Sequence, residues 1–127
     1  MAWIARNTGL SGTALNVNWI LQNPATRHLN STSHELWIAT DAGIFHSING
    51  GRSWAKIILP DPSNAEFSDS PAATVDELTF HCVKYGAVNN LIMFVLAAKA
   101  SSSRIWMYKT TNLWASGTIS SRGVTVA

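Results

Sequence analysis

The stretch Ser47-Ile48-Asn49-Gly50-Gly51-Arg52-Ser53-Trp54 closes one apolar run, Ile44-Phe45-His46-Ser47, and opens another, Trp54 to Leu59. Read residue by residue, it is a folded turn between two strands. The Ser47 hydroxyl and the Asn49 side chain can bond backbone groups of the turn. The glycines take left-handed conformations. Asn49 therefore reads as a turn-former, not as a ligand or metal residue.

Working outward, the pattern is strand-like almost everywhere. Val17, Trp19 and Leu21 alternate with Asn18, Ile20 and Gln22 before Asn23-Pro24 breaks the run. Leu36 to Thr40 is a second short run, ended by Asp41-Ala42-Gly43. Downstream, Pro60-Asp61-Pro62 opens a polar, Pro-rich loop over residues 60–76. Runs return at Leu78 to Tyr85, Leu91 to Ala98 and Arg104 to Thr110, separated by Asn89-Asn90 and Ala100-Ser101-Ser102-Ser103. Short β-branched and aromatic runs between turn residues predict a meander of strands. Residues 91–98 are apolar enough for a buried helix, but their length and flanking Asn pair favour a buried strand.

The chain also repeats itself. Ile44-Phe45-His46-Ser47-Ile48-Asn49 aligns with Met107-Tyr108-Lys109-Thr110-Thr111-Asn112 at an offset of 63, each after two strand-like runs and each followed by a Trp. Four-strand repeats of this kind point to propeller blades, with long loops stretching the period. The expected fold is all-β: two four-stranded antiparallel propeller-type blades, part of a larger or oligomer-completed β-propeller. Blade one covers about 14–59 with its turn at 47–54. Blade two covers about 75–120 with a degenerate, shorter turn at 110–114, and residues 1–13 form a strand or connection shared with a neighbouring blade.

Residues 47–54 fit the pattern Ser-x-Asp/Asn-x-Gly-x-Ser/Thr-Trp and resemble the Asp-box, or bacterial neuraminidase repeat. The run Leu36 to His46 resembles the strand pair that precedes such a box. Trp3 to Asn16 resembles the connection from one box into the next blade. The resemblance covers residues 1–59 well and 75–115 weakly. Sialidases, xyloglucan-processing glycosidases, sortilin-type receptors and photosystem assembly factors share it, and it implies a β-propeller. The implied box residues are Ser47, Asn49, Gly51, Ser53 and Trp54. Thr110, Asn112 and Trp114 form the degenerate copy, in which Leu113-Trp114 replaces the Gly-x-Ser-Trp segment. In those families the box lies on the outer rim and serves folding.

The residues argue against an enzyme. A sialidase would need an arginine triad, a Tyr nucleophile and paired acids, and the five Arg and two Tyr show no such grouping. A glycosidase needs two carboxylates about 5 to 10 Å apart across a cleft. Glu35, Asp41, Asp61, Glu66, Asp69, Asp76 and Glu77 read instead as turn and loop residues. His28, His34, His46 and His81 lack a shared-face metal spacing, Cys82 reads as a buried structural thiol, and no nucleophile elbow or phosphate loop is present. No catalytic residue, metal ligand or cofactor is expected.

Nine Lys and Arg against seven Asp and Glu leave a charge of +2, with a pI near 9.0. The basic residues are scattered singly, so no nucleic acid is expected as a partner. No secretory signal and no apolar run long enough to span a bilayer are visible. The chain is expected in the cytoplasm or in an assembled particle, without membrane insertion. Charged residues make up 13% of the chain and hydrophobic ones 46%, so the surface is thinly charged for its size.

Two blades cannot close a ring that ordinarily takes four to eight. The chain is either a piece of a larger propeller, an open module docked on other proteins, or one of several copies completing a ring. The last is expected, in its simplest form a trimer. The expected function is a non-catalytic structural or interaction module in a multi-copy complex, such as a virion or surface assembly. Its partners would be copies of itself or other assembly proteins, with Trp3 as candidate interface. The alternatives are a carbohydrate-binding lectin completed by oligomerisation, with a glycan as ligand, and a glycosidase-related remnant.

Overall fold

A short apolar run cannot satisfy its own backbone groups, and a neighbour one tight turn away supplies partners at little loop-closure cost. In the computed structural model, residues 6–65, 67, 72–86, 90–99, 102 and 104–124 are described. They form β1 (Val17–Gln22), β2 (Leu36–Thr40), β3 (Gly43–Ser47), β4 (Ala55–Lys56), β5 (Leu78–Tyr85), β6 (Met93–Lys99), β7 (Ile105–Thr110) and β8 (Ile119–Val124). These make two four-stranded antiparallel sheets in sequential order, β1-β2-β3-β4 and β5-β6-β7-β8. The fold is all-β. Helix among the described residues is limited to 3-10 turns.

Three strands differ from their sequence expectation. β4 is two residues long because the Trp54 N–H donates to Thr8 O, and Ile58 beyond it is exposed before Pro60. β6 begins at Met93 because Leu91 lies in the turn, where its carbonyl accepts from Leu113 N–H. β8 carries the second sheet to Val124. Its Ser120-Ser121-Arg122-Gly123 core has little apolar pattern to announce an edge strand.

The two sheets share irregularities as well as order. β1 slips its register between Val17 and Trp19, and β5 between Phe80 and Cys82, positions 63 residues apart. The 3-10 turns leading into these strands begin at Gly12 and Val75, again 63 apart. Each bulge adds one residue to its strand and so reverses the alternation beyond it. Val17 and Ile20 consequently share one face of β1, whereas Trp19 and Leu21 share the other.

The main core joins the sheets. Trp37, Ala39 and Ile44 of the first share it with Leu78, Phe80, Val83, Val95, Trp106 and Tyr108 of the second. Each large side chain buried there contributes about 2 to 3 kcal/mol. The connection from β4 to β5 is tied to the second sheet by Trp106 Nε1–H donating to Ser63 O at 2.6 Å and Tyr108 O–H to Pro60 O at 2.7 Å. A smaller cluster, Ala14, Ile38 and Phe45, lies on the other face of the first sheet, packed by Leu10, Ala42 and Trp54.

Candidate functional site

The β3–β4 turn is organised around one buried hydroxyl. Ser47 Oγ accepts from Gly51 N–H at 2.8 Å and from Asn49 N–H at 3.3 Å, and donates to Asn49 Oδ1 at 2.8 Å. Asn49 Oδ1 also accepts from Ser53 N–H at 3.0 Å, and Asn49 Nδ2 donates to Ser53 Oγ at 2.8 Å. Gly50 and Gly51 hold φ of 70° and 85°. A Cβ on Gly50 would collide with Ser31 O, and one on Gly51 would come 3.2 Å from the Trp54 ring. Trp54 Nε1–H donates to Arg6 O at 2.8 Å, which ties the preceding segment to this turn. Every polar atom of Asn49 is engaged within the turn.

The β7–β8 turn repeats this scheme with other residues. Thr110 Oγ1 accepts from Asn112 N–H at 3.1 Å and Trp114 N–H at 2.8 Å, the same i+2 and i+4 positions that Ser47 serves. Leu113 and Trp114 take φ of 47° and 66°, so two successive left-handed residues recur without glycine. Trp114 thus occupies the place of Gly51 rather than that of Trp54, and its ring is buried in the main core. The turn is not shortened: it runs over 111–118, against 48–54 in the first sheet. Thr118 Oγ1, 3.0 Å from Thr110 Oγ1, supplies a further contact. Trp3 lies outside the described residues.

The titratable groups are mostly committed to structure. Glu35 accepts from Asn23 Nδ2 at 2.8 Å and pairs with His46 Nε2 at 2.8 Å, a partnership across the sheet that no sequence spacing announced. The His46 ring stacks on Trp37, and Trp37 Nε1–H donates to the Tyr85 hydroxyl at 2.8 Å. Burial pushes the Tyr85 phenol up to about 12, opposed by the Trp37 N–H and reinforced by the Glu35 carboxylate. Asp41 accepts from Asn18 Nδ2, Asp61 from Val75 N–H, and Glu77 pairs with Lys99 at 3.0 Å. His34 contacts Leu29 O, His28 and His81 are exposed, and Cys82 is a half-buried free thiol. Among the described residues, no three His, Cys, Asp or Glu are grouped to hold a metal ion. No helix of the described residues is long and apolar enough to cross a membrane. Glu66 and Asp69 fall outside the described residues.

What is left uncommitted is apolar surface. On the outer face of the second sheet, Phe94, Met107, Lys109, Ser120, Arg122 and Val124 line an open groove of about 550 Å³. At the free edge of the first sheet, Val17, Trp19 and Ile20 are exposed around a second groove of about 400 Å³. Trp37, Trp106 and Trp114 are buried, so Trp19 on β1 is the strand Trp that meets solvent. These two faces form the candidate interaction site. No protein-family model, no curated protein and no solved structure matches this chain.

Proposed function

We propose that the chain is a non-catalytic, β-propeller-type structural or interaction module that works in multiple copies, each chain supplying two blades. The observation that carries this reading is the doubled architecture. Two sequential four-stranded meanders, matched in bulge and turn, pack on each other and leave large apolar side chains exposed beyond the pair. Such sheets leave free edges and open faces, which cyclic closure covers. A ring of four to eight blades takes two to four copies. Light scattering or native mass spectrometry at micromolar concentration is expected to give a whole multiple of 13.8 kDa in that range. A single-chain mass would refute self-assembly.

A glycan-binding module completed by oligomerisation is the second reading, and exposed Trp19 favours it, since an indole face can stack on a sugar ring. A glycan array with Trp19→Ala as control separates the two. Binding lost in the variant supports the lectin, and absence of binding leaves the structural module.

A further inference from the structure

The two sheets correspond strand for strand. β3 and β7 match at 63 residues, as do β1 and β5 with their bulges. Register then makes Trp37, opposite His46, the counterpart of Phe94, opposite Lys109. Ala39, opposite Ile44, is likewise the counterpart of Leu96, opposite Met107. The ring contacts correspond too: His46 stacks on Trp37 with centroids 3.8 Å apart, and Lys109 Nζ stands 5.9 Å over the Phe94 ring.

This correspondence exposes two unmatched halves of one contact. Trp37, Ala39 and Ile44 are at most 1% exposed, because they share a core with β5 of the second sheet. Their counterparts lie on the opposite side of the second sheet from that core, with Met107 40% exposed. On the receiving side, Leu78, Phe80 and Val83 are also at most 1% exposed. The residues 63 positions earlier, Leu15, Val17 and Ile20, are 50%, 47% and 62% exposed. Each chain therefore carries a free copy of the covering face on its second sheet and, along β1 and the turn before it, a free copy of the covered β5 surface on its first.

We propose that a second copy of this chain fills both vacancies by repeating the internal contact head to tail. The Phe94–Leu96–Met107 face of one copy seats on the Leu15–Val17–Ile20 face of the next. This rests on the self-assembling reading above and specifies its geometry. Inside the chain, Asn18 on the β1 bulge donates to Phe80 O at 2.9 Å. Its counterpart on the β5 bulge is His81, which is exposed and would donate to Val17 O of the next copy. The contact is heterologous, so one operator repeated builds a ring when its rotation closes and a filament when it does not.

The test uses two variants of the intact chain, Ile20→Asp and Met107→Asp, each at a side chain exposed in the single chain. Each alone blocks one face and is expected to run as a monomer by analytical ultracentrifugation. Mixed in equal amounts, they retain one intact face apiece and are expected to form a two-chain species and nothing larger. Native near-UV circular dichroism checks folding, and Ile20→Lys or Met107→Lys replaces a variant that fails it. If wild type assembles but only one variant dissociates, neither does, or the mixture forms no pair at high micromolar concentration, the head-to-tail assignment is overturned while self-assembly stands. A monomeric wild type removes both.

Discussion

Two hydroxyl oxygens set the geometry of both long turns. Ser47 Oγ and Thr110 Oγ1 each accept from the backbone N–H groups two and four residues on, and both residues are buried. Removing the acceptor strands a buried donor, which costs about 1 to 3 kcal/mol. Thr110→Val is expected to lower stability by that amount in urea denaturation, whereas Thr110→Ser keeps the acceptor and changes it little. A loss in Thr110→Ser with none in Thr110→Val would mean that the methyl group, and not the hydroxyl, holds the turn. The Ser47 turn was legible because Gly50-Gly51 advertised its left-handed pair. The repeat placed the Thr110 turn, but not its length or its left-handed pair, because Leu113 and Trp114 adopt that conformation against their own preference.

At the scale of elements, the link between sheets is polar as well as apolar. Trp37 on β2 donates to Tyr85 on β5, and Asn18 on β1 donates to the Phe80 carbonyl. A double-mutant cycle of Trp37→Phe and Tyr85→Phe is expected to give a coupling of about 0.5 to 1.5 kcal/mol. Additive single effects would remove this hydrogen bond as a link. The Tyr85 phenol also carries a pH signature. Its folded pKa is raised from 10.0 to about 12, so between these values the unfolded chain loses its proton first. Stability from this group is then full below pH 10 and declines as pH rises toward 12. Thermal melts across that window should show the fall, and Tyr85→Phe should make it shallower. Strand positions were largely legible, since β1, β2 and β5 begin and end where turn residues bound their apolar runs. β8 was not, because an edge strand of Ser, Arg and Gly has no buried alternation to display.

For the whole molecule, assembly and stability are one equilibrium. A partner that binds only the folded chain raises its apparent stability by mass action. The wild-type Tm is therefore expected to rise with protein concentration in differential scanning calorimetry, and the Tm of Ile20→Asp or Met107→Asp to stay level. A concentration-independent wild-type Tm would argue against a folded-state partner among its own copies. The candidate site was only partly legible at this scale. Thin charge and abundant apolar residues implied a covered surface, but the alternation of Val17, Trp19 and Leu21 implied the wrong grouping on β1.

The sequence by itself determined the all-β class, the order of most strands, the doubling at 63 residues and the Ser47 turn. These depend on local periodicity and on residues whose backbone preferences act within a few positions. Tertiary structure alone decided which faces are covered. A one-residue bulge at Asn18 regroups β1, and the second sheet buries one face of the first while leaving the corresponding face of its own open. Exposure is a property of neighbours distant in sequence, so no local pattern around Ile20 or Met107 could carry it.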